Sequence, residues 1–184
     1  MVDPLDGTRE FLGRTGEFTI NIALIEGHEV TFGLIAVPVG GAVYAGGRGL
    51  GAFKRVADSW VPIRCRALPE AETLVVSASR RHRGDKLDAS LTALEQHYPD
   101  LRRDHAGSAL KFCHLAEGRA DFYPRYSPCS EWDTAAGQAI VEGAGGAVLG
   151  MDGQPLTYNA RNSLLSPHFH AVADPSQQIW NVLD

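Results

Sequence analysis

A chain of 184 residues with 44% apolar and 21% charged side chains is long enough for one domain with a buried core, and its composition is ordinary for a globular protein. The net charge of −5 comes without a clustered basic block, which argues against a nucleic-acid polymer as partner but leaves room for one small phosphorylated molecule. No run approaches the ~18 consecutive apolar residues of a membrane span, and the first residues show no signal-peptide pattern.

In chain order, Asp3-Pro4-Leu5-Asp6-Gly7-Thr8 comes first. Pro4 fixes its own φ and biases Asp3 toward an extended backbone, and Asp6-Gly7 is a sharp turn that can open a helix. Thr19–Glu26 and Val30–Val37 read as a hairpin about Gly27 and His28. Short runs at Ala42–Ala45 and Leu50–Arg55, punctuated by glycines, continue an antiparallel meander. Leu68–Glu72 reads as a connection, the best candidate for a sub-lobe junction within a single domain, and a strand begins at Thr73. Leu87, Leu91 and Leu94 share one face of a helix over Asp85–Tyr98 that stops at Pro99. Ser108–Glu117 is a second helix closed by Gly118, Ala120–Tyr123 a short strand, and Asp133–Gly143 a third helix with Asp133 as its N-cap. Strand pairs followed by interleaved helices and strands predict a layered α/β or α+β fold.

Three widely spaced cysteines without a CxxC pair argue against a disulfide framework or a zinc site. Reduced, cytoplasmic thiols are the expectation, with Cys113 in the core.

The chemistry concentrates in two segments. The first turn can aim the Asp3 and Asp6 carboxylates and the Leu5 carbonyl into one small volume, and hard oxygen ligands of this kind suit Mg²⁺. The backbone N–H groups of Gly7 and Thr8 would face a phosphate at the helix start. Alone, such a segment is equally well an ordinary turn, and Asp133 alone an ordinary cap. The second segment is Glu131-Trp132-Asp133-Thr134-Ala135-Ala136-Gly137. Together the two resemble the DPxDGT and WDxAAG motifs of the inositol monophosphatase-like family of Mg²⁺-dependent, lithium-sensitive phosphatases, over essentially the whole chain.

That resemblance implies an αβαβα sandwich of alternating helix and sheet layers. It implies Asp3, Asp6, Asp133 and the Leu5 carbonyl as ligands of two or more Mg²⁺ ions, with Thr8 orienting an attacking water. Within the family, Gly107-Ser108-Ala109-Leu110-Lys111-Phe112-Cys113 with Tyr123-Pro124-Arg125 is similar to the 3′(2′),5′-bisphosphate nucleotidases. Those enzymes remove the 3′-phosphate of 3′-phosphoadenosine 5′-phosphate. Ser77–His82 is similar to their substrate-contact loop. Lys111 as a point charge and Arg125 as a fork would hold the second phosphate, with Ser108 and His82 bonding phosphate or sugar. Ser127–Ser130 lacks an aromatic that some relatives place near the base. An inositol monophosphatase is the nearest enzymatic alternative, and an inactive ligand-binding or interaction module the alternative of another class.

The resemblance also implies a helical segment and a strand ahead of DPxDGT, carrying a metal-binding glutamate. Only Met1 and Val2 precede Asp3. The expectation is therefore weak metal affinity and little turnover for these residues alone. A missing helical layer would also expose apolar sheet surface and favour self-association, most simply a homodimer.

Overall fold

Period-two alternation in the first third of the chain builds a meander. The computed structural model describes residues 1–68, 73–78 and 84–183. Strand β1 (Val2–Asp6) leads through the short helix α1 (Thr8–Leu12) to β2 (Thr19–Glu26), β3 (Glu29–Val37), β4 (Ala42–Gly47), β5 (Gly51–Val56) and β6 (Ser59–Ile63). These strands form one antiparallel six-stranded sheet in chain order. The expected turn at Asp3–Thr8 is thus a strand followed by a turn, with the register of β1 on β2 shifting between Asp3 and Asp6. Gly7 then takes a φ of 87°, a left-handed conformation that favours glycine, and the helix starts at Thr8 as expected.

The second half alternates. Strand β7 (Thr73–Ala78) passes through α2 (Asp85–His97) to the parallel β8 (Asp100–His105). Helix α3 (Leu110–Ala116) precedes β9 (Phe122–Arg125), β10 (Cys129–Ser130) and α4 (Glu131–Gly143). Strands β11 (Ala147–Gly150), β12 (Leu165–Ser166) and β13 (Phe169–Val172) follow, and two 3-10 turns close the described chain. A mixed five-stranded sheet has the order β11-β13-β9-β7-β8, and β10 pairs with β12. Strand β9 begins two residues later than expected because Ala120 and Asp121 still belong to the connection. The N-cap of α4 is Ser130 rather than Asp133, which sits a turn inside and accepts the Ser130 backbone N–H at 2.8 Å. The expected junction at 68–72 falls almost wholly outside the described residues, as does 79–83 with His82.

Helices α3 and α4 fill the space between the two sheets, with Ile35, Tyr44, Phe112, Ile140, Tyr158 and Phe169 in one core. Close approach is enforced by small residues. A Cβ on Gly33 would overlap the Ala136 backbone of α4, and one on Gly137 the Phe112 ring of α3. Helix α2 covers the far side of the second sheet through Leu91 and Leu94 against Leu74, Val76 and Phe122. The layers run sheet, helices, sheet, helix, a mixed α/β arrangement. The outer face of the six-stranded sheet stays apolar and open among the described residues: Val2, Ile22, Leu24, Phe53 and Trp60 are all exposed there. No described helix is long and apolar enough to cross a membrane.

Candidate active site

Strand β1 and helix α4 bring Asp3, Asp6 and Asp133 together. One ligand oxygen from each lies within 4.8 Å of those of the other two. The local geometry of each carboxylate follows the same plan. Asp3 accepts the Leu5 N–H through Oδ1 at 3.0 Å, and Asp133 accepts the Ser130 N–H through Oδ2. Asp6 is held most firmly, its Oδ2 accepting from Ser108 Oγ at 2.5 Å, Ala109 N at 2.7 Å and Asn21 Nδ2 at 3.3 Å. In each carboxylate one oxygen is fixed by a protein donor, and the other is left without a protein N–H donor among the described residues. Fixed, hard and convergent oxygens are what a divalent cation such as Mg²⁺ requires.

The electrostatics agree with the donor set. Burial, outweighing its Ser130 hydrogen bond and reinforced by Asp6 and Asp3, pushes the Asp133 carboxyl up to about 6. Burial also raises Asp3, with Asp6 adding repulsion. Three acids share this small volume, and Lys111 and Arg125 attract Asp6 and Asp133 without forming an ion pair to them among the described residues. The residues present therefore fit a bound divalent ion.

A cavity of about 220 Å³ opens beside them, lined among others by Asp6, Gly7, Thr8, Lys111, Arg125 and Asp133. Thr8 is exposed at its wall, one residue past the Gly7 turn. Leu5 stands between the two aspartates in β1. Lys111 is buried, with Nζ donating to Ser108 O at 2.8 Å and Ala106 O at 3.3 Å, so much of its role is to hold the backbone around Ser108. Ser108 has a φ of 53°, a left-handed conformation unusual for a residue with a Cβ. Burial, then the neighbouring Arg125 charge, lowers the Lys111 ammonium to about 8. Arg125 donates to neutral oxygens, Ser127 O at 3.2 Å, Pro128 O at 3.2 Å and Tyr123 Oη at 3.4 Å, and also meets the Cys129 thiol. It forms no ion pair among the described residues, although the Asp133 carboxylate attracts it across the cavity.

One placement within the site differs from expectation. The Ser108 hydroxyl, expected on phosphate or sugar, points its proton at Asp6. Thr19 and Asn21, which sequence reasoning did not single out, stand behind the site. Thr19 Oγ1 lies 2.6 Å from Ser108 Oγ and 3.3 Å from Asp6 Oδ2. The available signal was polar residues at alternate positions of a strand otherwise rich in isoleucine and leucine. Arg9 at the cavity wall was also missed; it follows Thr8 directly in α1.

The pattern of the inositol monophosphatase family matches residues 1–181. A 3′(2′),5′-bisphosphate nucleotidase CysQ of Salmonella typhimurium is 43% identical over 172 residues, covering 94% of this chain and 67% of that protein. The Escherichia coli protein of the same name is 41% identical over 169 residues, covering 92% of this chain and 65% of its own length. The crystal structure of CysQ from Bacteroides thetaiotaomicron matches with a TM-score of 0.84 at 36% identity, covering 94% of this chain and 68% of that one. The chain thus spans about two thirds of the length of the curated relatives it matches. With its layered fold and both motifs in one site, the chain belongs to the inositol monophosphatase family.

Proposed function

We propose that these residues form the working part of a Mg²⁺-dependent 3′(2′),5′-bisphosphate nucleotidase, which converts 3′-phosphoadenosine 5′-phosphate and water to AMP and phosphate. The observation that carries the reading is the convergence of Asp3, Asp6 and Asp133, each with one oxygen fixed by the protein, beside a cavity that also holds Arg125. The likeness to CysQ nucleotidases supports the substrate.

Asp3, Asp6, Asp133 and the Leu5 carbonyl would hold the metal. A divalent ion bound there supplies a Lewis acid for the phosphate and lowers the pKa of a bound water. Positioning by the chain completes the step, since phosphoryl transfer needs little covalent help. Thr8 orients the attacking water, and the N–H groups opening α1 with Gly7 face the phosphate. The water oxygen bonds to phosphorus as the P–O3′ bond breaks, and the departing 3′-oxygen takes up a proton. Arg125 pairs with the 5′-phosphate, and Lys111 adds positive potential from within the wall. Three free cysteines are consistent with a reducing, cytoplasmic setting.

The test is phosphate release in Mg²⁺ from 3′-phosphoadenosine 5′-phosphate and from inositol 1-phosphate, read as a ratio so that the absolute rate does not matter. A ratio of about ten or more in favour of the nucleotide is expected, because a second phosphate gains a charge-assisted pair. A preference for inositol phosphate would assign the site to an inositol monophosphatase instead.

A further inference from the structure

Strand β8 lies at the edge of the five-stranded sheet, and its polar side chains are exposed at every position but one. Asp104, the residue before its last, is turned inward and buried. Burying a carboxylate is costly unless its oxygens are bonded, and here both are. Oδ2 accepts from His114 Nδ1 of α3 at 2.5 Å and from the buried Ser77 Oγ of β7 at 3.3 Å, and Oδ1 accepts from Arg119 Nε at 3.1 Å. Burial opposes the charge, but the contacts with His114 and then Arg119 outweigh it and hold the Asp104 carboxyl below its ordinary value.

The chain between Asp104 and His114 is the one that fixes Asp6. Residues 106–109 join β8 to α3 and give Asp6 Oδ2 its two shortest bonds, from Ser108 Oγ at 2.5 Å and from Ala109 N at 2.7 Å. They do so with Ser108 at a φ of 53°, a conformation that persists only where the surroundings impose it. Lys111 Nζ imposes it from within, tying Ala106 O and Ser108 O to the first turn of α3. Asp104 ties the strand that enters the loop to the same helix one turn further on.

We infer that Asp104 is a positioning residue for Asp6: by clasping His114 it sets the 106–109 loop in the shape that holds the Asp6 carboxylate for a metal. The inference rests on the reading of Asp6 as a metal ligand and adds to it the outer support of that ligand.

The experiment follows the Ala109 amide proton by nuclear magnetic resonance and Mn²⁺ affinity by electron paramagnetic resonance. Bonded to a carboxylate, that proton should lie well downfield and exchange slowly in the unsubstituted protein. Asp104→Asn removes the charge and one acceptor, and His114→Leu removes the donor while leaving Asp104 its Arg119 partner. Each should move the Ala109 proton upfield and weaken Mn²⁺ binding about ten-fold, the lower end for groups that orient metal ligands. His114→Asn, whose amide N–H can stand where Nδ1 does, should restore both. Asp121→Asn, at another buried carboxylate, paired with Arg66, should lower the melting temperature and leave both readouts unchanged. An unmoved Ala109 proton or unchanged Mn²⁺ affinity in Asp104→Asn and His114→Leu would overturn the inference while the metal site stands. Equal changes in Asp121→Asn would overturn it too, by reducing Asp104 to general stability. If the unsubstituted protein binds no Mn²⁺, the metal reading fails, and the Ala109 proton alone decides whether Asp104 sets the loop on Asp6.

Discussion

Asp133 shows how buried, convergent carboxylates destabilise the fold that carries them. Its carboxyl is raised from 3.8 to about 6, chiefly by burial, so the folded metal-free protein binds this proton more tightly than the unfolded chain does. Stability must therefore fall as pH rises from about 4 through about 6, and the penalty is fully present above that window. Thermal melts of the metal-free protein should show this slope, and Asp133→Asn should flatten it while raising the melting temperature at pH 7.5. A steeper slope or a lower melting temperature in that variant would contradict the account. Thr19 makes the opposite case, as a neutral residue on which the acid depends. Thr19→Val leaves the buried Asn21 Oδ1 without its donor and should cost about 1–2 kcal/mol, a fall of several degrees in melting temperature. It should also weaken divalent-ion affinity by about ten-fold or more, because groups that orient ligands tune the metal; unchanged Mn²⁺ affinity would remove Thr19 from the site. Asp3, Asp6 and Asp133 were legible in the sequence because their motifs are local. Thr19 and Asn21 were not, because their alternation with Ile20, Ile22 and Leu24 hides which face is inward. Here the polar residues are buried, and Ile22 and Leu24 are exposed.

Helix α4 and strand β3 are the elements whose contact sets the position of Asp133. Gly33 lets them touch, since an added Cβ would overlap the Ala136 backbone. Gly33→Ala should destabilise the fold by about 1–3 kcal/mol through overpacking. Gly84→Ala, at the start of α2 where a Cβ meets nothing within 4 Å and φ is −158°, should change little. Equal melting temperatures for the two variants would show that the close approach does not matter. Legibility at this scale followed periodicity. The β2–β3 hairpin and α2 stand within a residue or so of their expected bounds. Strand β8 escaped notice because Asp100–His105 is mostly charged and exposed at a sheet edge. Strand β13 escaped for the opposite reason: Phe169–Val172 is buried throughout between β11 and β9 and has no alternation to read. Pro62 disguised β6, where a proline is tolerated because the strand is an edge.

For the molecule as a whole, the layered α/β class followed from the order of elements, and the exposed apolar sheet face was expected from the family resemblance, with register fixing which residues lie on it. Val2 pairs with Ile22 and Phe53 with Pro62, which puts an apolar row on the side away from α4. Contiguous apolar surface of this kind drives self-association. Sedimentation velocity should show a concentration-dependent shift that the double variant Leu24→Lys and Phe53→Lys reduces; indifference to those charges would show that the face takes no part. Mn²⁺ binding followed by electron paramagnetic resonance tests the three carboxylates most directly as metal ligands, since Mn²⁺ favours the same oxygen ligands as Mg²⁺. The native chain should bind Mn²⁺ more tightly with AMP and phosphate present, and Asp6→Asn and Asp133→Asn should each abolish that binding while Asp152→Asn, on the exposed turn after β11, leaves it intact. Mn²⁺ binding that survives both Asp6→Asn and Asp133→Asn would contradict the account.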